Sequence, residues 1–479
     1  MSIHSGTRSA SAGMLTRRPL KGATLLAAAV ALGLATWAGP ATADSDTPSL
    51  EEMWQIIQNQ QDEIDRLKIQ NTQLREKVET PPPAPAVAPV AEAAPVPQGD
   101  GSGTRIDVYG AAMLDMGYQF NQSDPDWFDV VRPTKLPSYA NEFGDDGEFF
   151  AGVRQSRLGV KSFTPTSLGE LKTIFEFELF GVGADAGQTT FRLRHAWGEL
   201  GQFGAGQTWS TFMDIDVFPN SIEYWGPNAM VFYRNIQARW TPWSDGDSRF
   251  AMSLERPGAS GDGGKFADRV ELEGIAGDFE LPDLSGHFRW AQDWGHVQVA
   301  GMLRKIKWND LQDDQYDLSG DKIGWGVNLS GNYRIGPHVL RGSLVYGEGI
   351  QNYMNDATID IGVVENFDDP VRPIYGDTIP MLGVVAFLDL NWSDEWTSTI
   401  GYSMLDMDPT DGQSPSSFEK GQYALTNILY HPTPNVFYGV ELQWAERDNF
   451  SDGFSSDDVR LQFSAKYNIK ARRCHHFPL

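Results

Sequence analysis

The sequence predicts an all-β membrane barrel of about sixteen antiparallel strands, preceded by an α-helical coiled coil and a Pro-rich linker. From Arg105 to Ile469, apolar and polar residues alternate with a period of two in short segments, as in strands with two different faces. Tight turns and long acidic loops separate these segments alternately, as in barrels that cross an outer membrane. In the final segment, one face holds Val459, Leu461, Phe463, Ala465, Tyr467 and Ile469, and the other holds Arg460, Gln462, Ser464, Lys466 and Asn468.

The first 43 residues have the composition of an export signal. Arg17, Arg18 and Lys21 precede the apolar stretch 23–35, and Ala41-Thr42-Ala43 is a small-x-small cleavage site. The segment fits an ordinary Sec signal, although the paired arginines also fit a twin-arginine signal. The chain carries a formal charge of -26, which argues against nucleic acid as a partner. Its one Cys, Cys474, excludes a disulfide framework.

Residues 44–80 are predicted to form a coiled-coil helix in the periplasm. Apolar residues recur every seven positions in two series, and the remaining positions are mostly charged or polar, which favours self-association over a lone amphipathic helix. One seam consists of Leu50, Ile57, Ile64, Asn71 and Val78, and the other of Met53, Gln60, Leu67 and Leu74. Residues 81–104 follow as a Pro-, Ala- and Gly-rich linker, for which we expect an extended polyproline conformation.

The barrel is assigned to residues 105–469, with residues 470–479 as an atypical tail. Short connections are expected at Thr164-Pro165, Leu200-Gly201, Pro242, Trp294-Gly295, Gly336-Pro337, Ser393-Asp394 and 432–434. Long ones are expected at about 121–151, 181–189, 211–230, 256–284, 308–321, 348–380, 406–420 and 446–457. A soluble sandwich would not need its long loops at one end, and a propeller should show repeats of about 40 residues. The sequence shows no such repeat.

The alternation also predicts which charged residues face the inside of the barrel. With Phe191, Leu193, His195 and Trp197 on the lipid face, their neighbours on the strand point inward. The same rule applied to other early strands gives a predicted anion-binding set of Arg157, Lys161, Lys172, Arg192, Arg194 and Arg239. Glu176 and Glu178 are expected beside them, so these arginines have two compatible roles: they neutralise buried acids, or they select anions.

The connection 211–230 is too apolar for a solvent-exposed loop. It contains Phe212, Met213, Val217 and Phe218, and we expect it to fold into the barrel and narrow it. Its predicted constriction residues are Asp214, Asp216, Glu223, Tyr224 and Trp225. The acids among them are expected to face the arginines and to set a transverse field across the constriction.

Four stretches resemble the DcaP-like outer-membrane porins. They are FEFELFG (175–181), FRLRHAWGEL (191–200), GQTWSTFMD (206–214) and FPNSIEYWGPNAMVFYRNIQARWT (218–241). The order of signal, coiled coil, linker and barrel is similar as well. The resemblance implies a trimeric porin of sixteen strands for small anions, with dicarboxylates as the associated substrates. Members of such families normally end on the last strand with an aromatic residue, and the basic tail 470–479 departs from that pattern.

The leading functional prediction is therefore a passive diffusion channel for small anionic solutes, acting as a homotrimer among outer-membrane lipid and lipopolysaccharide. The alternative is a structural protein whose coiled coil tethers or spaces the envelope, with incidental pore activity. No nucleophile lies at a spacing that suggests an enzyme. Cys474, His475 and His476 are metal-ligand types, but adjacent residues cannot close a tetrahedral site. We expect neither a metal nor another cofactor.

Overall fold

A closed antiparallel barrel occupies residues 103–470, the part of the chain that the computed structural model describes. The predicted fold class is confirmed for this part. The predicted signal, coiled coil and linker up to residue 102, and the tail from residue 471, lie outside the described residues. The strands are β1 (Arg105–Gln119), β2 (Glu148–Gly152), β3 (Arg157–Thr166), β4 (Gly169–Phe180), β5 (Thr189–Leu200), β6 (Phe203–Trp209), β7 (Arg234–Asp245), β8 (Ser248–Glu255), β9 (Ile275–Gly277), β10 (Asp283–Gln292), β11 (Gly295–Asp310), β12 (Gly320–Ile335), β13 (His338–Glu348), β14 (Ile361–Glu365), β15 (Ile374–Thr378), β16 (Pro380–Asn391), β17 (Trp396–Met407), β18 (Phe418–Thr433), β19 (Val436–Asn449) and β20 (Ser455–Lys470).

The wall has sixteen strand positions because two of them are interrupted. β2 and β3 both pair with β1, one above the other, and residues 153–156 break the strand between them. In the same way β9 and β10 both pair with β11. Pairing of β1 with β20, from Tyr109 with Lys470 to Gln119 with Arg460, closes the cylinder, so no edge of the sheet is left at the ends of the chain. β14 and β15 form a separate hairpin between β13 and β16.

Tight turns join the strands at one end of the barrel, as the sequence predicts. In three of the two-residue turns, Gly201, Gly246 and Gly336 have φ values of 61°, 58° and 61°, which only Gly adopts readily. Two expected turns were wrong. Pro165 pairs with Glu170 inside the β3–β4 ladder, and Pro242 lies inside β7, where the register with β8 shifts between Trp240 and Trp243. At Pro242 the bulge tolerates Pro because it leaves a ladder position without a donor, and the chain therefore continues there instead of turning.

The outer surface is apolar and the inside is polar. On β10 and β11, Phe288, Trp290, Val299 and Leu303 are each about half exposed on the outside. Their neighbours His287, Arg289, Gln298 and Arg304 are buried on the inside. The largest cluster of buried apolar residues lies within the barrel, where loop side chains such as Phe212, Met230 and Tyr353 pack together.

Helical structure in the described region is limited to seven single 3₁₀ turns, at Pro125–Trp127, Pro133–Lys135, Gly183–Asp185, Ile215–Val217, Gly264–Phe266, Val270–Leu272 and Gln351–Tyr353. Within residues 103–470, no helix has the length and apolar character needed to cross a membrane.

Candidate functional site

The chain between β6 and β7, residues 210–233, folds into the lumen, and we call it the pore loop. Its apolar side chains are buried: Phe212 is 0% exposed, and Val217 and Ile222 are 1% exposed. Its backbone is held by opposite walls. The Asn328 amide on β12 donates to the Phe212 carbonyl (3.0 Å), and Glu441 on β19 accepts from the Ile222 N–H (3.0 Å). The loop therefore spans the lumen and reduces its open cross-section.

Asp214 fixes the start of the pore loop to the wall formed by β10, β11 and β12. It accepts hydrogen bonds from His296 Nε2 (2.6 Å), Ser330 Oγ (2.9 Å) and Arg289 Nη1 (3.2 Å). Burial alone would raise the pKa of Asp214, but the hydrogen bond from His296 and the charge of Arg289 hold it below its ordinary value. The expectation that Asp214 faces the predicted arginines was wrong, because five residues beyond Trp209 the chain has already reached this other wall.

Asp216 and Glu223 have different surroundings. Asp216 is 48% exposed and accepts from Arg289 Nη2 at 2.5 Å, so it too lies on the β10 side. Glu223 is buried and accepts from the backbone N–H groups of Val131 (3.1 Å) and Gly226. Burial raises the pKa of Glu223 to about 7, although the Gly226 N–H and the Arg460 charge oppose the shift. Neither acid hydrogen-bonds to or forms an ion pair with a predicted arginine, and the transverse field across the constriction stays a prediction.

Two buried carboxylates on β4 form the centre of a basic cluster, which we define as Arg157, Arg192, Arg194 and Arg234 with Glu176 and Glu178. Arg194 donates from Nε to Glu176 and from Nη1 to Glu178, both at 2.5 Å. Arg157 lies 3.5 Å from Glu176 and 3.6 Å from Glu178. Arg192 and Arg234 lie 3.7 and 3.5 Å from Glu178. Four guanidinium groups thus surround two carboxylates, which leaves two positive charges in excess.

Members of the basic cluster differ in exposure. The side chains of Arg157 and Arg192 are 35% and 28% exposed, whereas those of Arg194 and Arg234 are 5% and 6% exposed. At 3.5 Å or more from the carboxylates, Arg157 and Arg192 are beyond normal N–H···O hydrogen-bond length. They retain donors for a solute in the lumen, while Arg194 is occupied by the two glutamates.

Tyr224 joins the pore loop to the basic cluster. Its hydroxyl donates to Glu178, and its ring stacks on Phe180 with centroids 4.0 Å apart. Trp225, the next residue, donates from Nε1 to the Asn355 carbonyl (2.8 Å). The Arg132 guanidinium lies over both the Trp225 and the Trp127 rings, 4.3 and 4.1 Å from their centroids. These contacts place both predicted aromatic residues of the pore loop beside the cluster.

A β-bulge explains the main error of the predicted alternation. On β5, Glu176 pairs with His195 and Phe177 pairs with Leu193, so Arg194 is an extra residue. Beyond it the faces exchange. His195 is 5% exposed, with Nδ1 3.0 Å from Thr208 Oγ1, and Trp197 is 8% exposed. The expectation that His195 and Trp197 face lipid was therefore wrong.

The three remaining predicted residues lie apart from the basic cluster. Lys161 is exposed, with Nζ 5.0 Å from the centroid of the Tyr109 ring. Lys172 is 53% exposed and 3.5 Å from Glu199. Arg239 donates to the Trp209 carbonyl and to Gln237, and its guanidinium lies 5.1 Å from the Trp197 ring. Its hydrogen-bonding capacity is thus used in holding the end of β6 to β7.

Several basic residues near the lumen were missed. Arg234 has the wrong parity for an inward residue, because it stands where the pore loop ends and β7 begins. Arg249, Arg289 and Arg341 obey the alternation on β8, β10 and β13 and could have been found by it. Arg249 donates from Nε to His287 Nε2 (3.1 Å), and Arg341 from Nε to Asp389 (2.6 Å).

One group of side chains has metal-ligand types. Asp214, Asp216 and His296 can each bring a ligand atom to within 4.8 Å of the others. Arg289 already bonds both aspartates. Its guanidinium supplies the positive charge that this acidic pair requires, so the geometry fits an ion-pair network that anchors the pore loop.

A closed sixteen-strand barrel with an apolar outside, a polar inside and a loop folded into the lumen defines a channel protein of the outer-membrane porin class. The sequence pattern of the DcaP outer membrane protein family matches residues 43–363, and the chain belongs to that family. This confirms the resemblance found in the sequence and establishes the protein as an outer-membrane porin.

Solved structures support the same fold. The outer membrane channel DcaP of Acinetobacter baumannii is 23% identical, with a TM-score of 0.62 over 77% of this chain and 99% of that one. An anion-selective porin from Comamonas acidovorans is 11% identical, with a TM-score of 0.50 over 77% of this chain and 100% of that one. At these identities the likeness concerns the fold alone. No curated protein matches the chain by sequence.

Proposed function

We propose that this porin is an anion-preferring diffusion channel for small carboxylates, dicarboxylates foremost, and that the basic cluster gives the preference. The observation that carries the proposal is the excess of two positive charges beside the pore loop, with Arg157 and Arg192 each about one-third exposed. Inside a narrow lumen of low effective dielectric, such charges attract anions more strongly than they would in open water.

The two exposed arginines suit a small diacid. Arg157 and Arg192 both lie within 3.7 Å of Glu178, so their guanidinium groups approach one point from neighbouring parts of the wall. Guanidinium pairs with carboxylate in forked geometry, and two of them can receive the two ends of one short solute. Arg194 and Arg234 act as positioning residues in this proposal, because they neutralise Glu178 and keep it from repelling the anion.

Other predicted features complete the proposal. The barrel works as a homotrimer, and the predicted coiled coil, whose seam runs through residues 50–78, belongs to the periplasm. Exposed acidic residues on the long loops, such as Asp145 and Asp146, face lipopolysaccharide at the outer surface.

Reversal potentials of the purified protein in planar bilayers test the anion preference. We expect the chloride-to-potassium permeability ratio to exceed one in the native channel. In the double variant Arg157→Gln, Arg192→Gln it should fall about three- to tenfold, equivalent to roughly 0.7–1.4 kcal/mol of lost anion stabilisation. Arg372→Gln, on the β14–β15 hairpin and 44% exposed, is the matched control. If the native channel and the double variant show the same preference for cations, the proposal is contradicted.

A further inference from the structure

The outer wall at β7 and β8 carries an apolar groove that runs along the barrel. Its upper part has a volume of about 400 Å³, and the apolar side chains that line it are about half exposed: Ile236, Leu254, Phe279 and Leu281. Its lower part has a volume of about 610 Å³ and reaches Trp240. The two parts meet at Ala238 and Leu254, which line both. We call this continuous hollow the outer groove.

An interruption of the wall and two small side chains produce the outer groove. Residues 278–282, between β9 and β10, belong to no strand, and the ladder between β8 and β10 ends at the pair Glu255 and Asp283. Lower down, Ala205 and Ala238 lie opposite each other on β6 and β7 with exposed side chains. A wall that is elsewhere covered by large apolar residues is therefore hollow at this place.

This sector of the wall contacts lipid. Trp and Tyr concentrate where a barrel meets the membrane interface. Trp240 and Trp243 on β7 and Trp290 on β10 stand near the short turns, and they are 44%, 44% and 50% exposed. An apolar hollow above such a belt lies within the hydrocarbon layer. Its occupant is therefore an acyl chain and not water.

Two cations stand at the upper end of the outer groove. Arg256 lies ten residues above Gly246 in the turn before β8, and Lys305 lies ten residues above Gly295 in the turn before β11. A strand that rises about 3.3 Å per residue at a tilt near 40° climbs roughly 25 Å over that distance, which is the height of the apolar band. Each cation stands two residues beyond an outward-facing Leu, so both lie outside the barrel at the upper membrane interface.

These cations retain hydrogen-bond donors. Within residues 103–470, the Arg256 side chain has no hydrogen-bond or ion-pair partner and is exposed. Lys305 Nζ lies 3.7 Å from Glu280, beyond normal hydrogen-bond length, and Lys305 is 30% exposed. Lys307 is closer to the acids, 2.5 Å from Glu280 and 2.8 Å from Asp278. Three positive charges thus face two carboxylates, and the sector has one positive charge in excess.

The outer wall on β17–β20 has the opposite character. Lys420 on β18 also faces outward near the upper end of the barrel, but its register partners on the two neighbouring strands are Asp406 and Asp448. Glu446 stands opposite Asp457 beside them. This sector repels an anionic head group where the β8–β11 sector attracts one. Lys420 is therefore a matched control for Arg256 and Lys305.

We propose that the outer groove binds the lipid A part of lipopolysaccharide, with an acyl chain along the groove and a phosphate on Arg256 and Lys305. The long loops mark this end of the barrel as the outer one, so lipid A is the anionic lipid of the adjoining leaflet. Guanidinium pairs with phosphate in forked geometry. These residues face away from the lumen, so the inference goes beyond the proposed function and does not depend on anion selectivity.

Binding of purified lipid A to the full-length protein in detergent tests the site. Native mass spectrometry counts bound lipid, and EDTA removes divalent ions that could bridge phosphates to acidic residues. Each basic residue near an anionic surface strengthens binding about fivefold. We therefore expect the dissociation constant to rise about ten- to thirtyfold in the double variant Arg256→Gln, Lys305→Gln. Lys420→Gln should bind as the native protein does.

A second variant tests the groove separately from the charges. Ala238→Trp fills the hollow from its exposed side and should weaken lipid A binding without changing any charge. Circular dichroism first shows that each variant keeps the β-rich barrel. Lipid A without its phosphates should bind the native protein and the double variant equally weakly.

Three results would overturn the proposal. The native protein and the double variant could bind lipid A equally well, which would remove the role of Arg256 and Lys305. Ala238→Trp could leave binding unchanged, which would place the acyl chain elsewhere. Phosphatidylglycerol could bind as tightly as lipid A, which would make the groove a general site for anionic lipid. Reversal potentials are not part of this readout, so a failed anion-selectivity test leaves its result unchanged.

Discussion

At the scale of residues, burial separates two kinds of arginine that look alike in the sequence. Arg192 and Arg194 stand two positions apart and were predicted to play the same part. In the structure Arg194 is 5% exposed and bonds both buried glutamates, whereas Arg192 is 28% exposed and 3.7 Å from Glu178. Arg194 therefore holds the wall together, and Arg192 remains available to a solute.

Removing these two charges should therefore affect stability unequally. Arg194→Gln leaves Glu176 and Glu178 buried with fewer partners, and breaking a buried pair costs roughly 3–5 kcal/mol. Arg192→Gln removes a longer contact at a partly exposed position and should cost under about 1 kcal/mol. Urea unfolding of the barrels in lipid vesicles measures both. Equal unfolding midpoints for the two variants would show that Glu176 and Glu178 do not depend on Arg194.

At the scale of secondary-structure elements, the pore loop and the bulge in β5 determine where the side chains of the site lie. The apolar composition of residues 211–230 predicted that this loop folds inside, because a water-exposed loop does not carry so many large apolar residues. Its direction across the lumen did not follow from composition. Asp214 bonds to the far wall, and Glu223 bonds to backbone, so the loop carries its acids away from the basic cluster.

Asp214→Asn should loosen the start of the pore loop. The substitution removes the charge that pairs with Arg289. It also leaves one side-chain oxygen in place of the two that now accept hydrogen bonds from Arg289, His296 and Ser330. Breaking a buried pair of this kind costs roughly 3–5 kcal/mol, enough for the segment to leave the wall part of the time. We expect larger neutral sugars to enter proteoliposomes faster and single-channel current to become noisier.

Asp145→Asn, at an exposed position in the loop between β1 and β2, controls for the loss of one charge. If Asp214→Asn and Asp145→Asn admit sugars at the same rates and carry equally quiet currents, the anchoring role of Asp214 is wrong.

At the scale of the whole molecule, the barrel is closed by its own strands. β1 pairs with β20 and closes the ring; within residues 105–470, β2 and β9 each pair on one side only, and β6 pairs with β5 only from Ala196 to Leu200. Conduction by one barrel should therefore depend on the barrel residues alone.

Deleting residues 44–103 should leave the single-channel conductance of each barrel within experimental error of the native value. The wall, the pore loop and the basic cluster all lie after this segment in the chain. Planar-bilayer recordings of the native and shortened proteins measure it. Loss of conduction in a shortened protein that still shows the β-rich circular dichroism of the native barrel would mean that the N-terminal segment takes part in the pore itself.

The sequence by itself determined the fold class, the strand number, the alternation of short and long connections, and the inward direction of Arg157, Arg192 and Arg194. These properties follow from local period and composition, because a strand with one face in lipid and the other in the lumen must alternate apolar and polar residues. Only the tertiary structure decided what the residues contact. The bulge at Arg194 placed His195 and Trp197 on the inner face of β5 instead of the lipid face. Arg234 joined the basic cluster although its position in the alternation predicts an outward side chain. Asp214 and Asp216 bonded to the β10 wall and not to the basic cluster. Such outcomes depend on register and on partners distant in the chain, which a local alternation does not record.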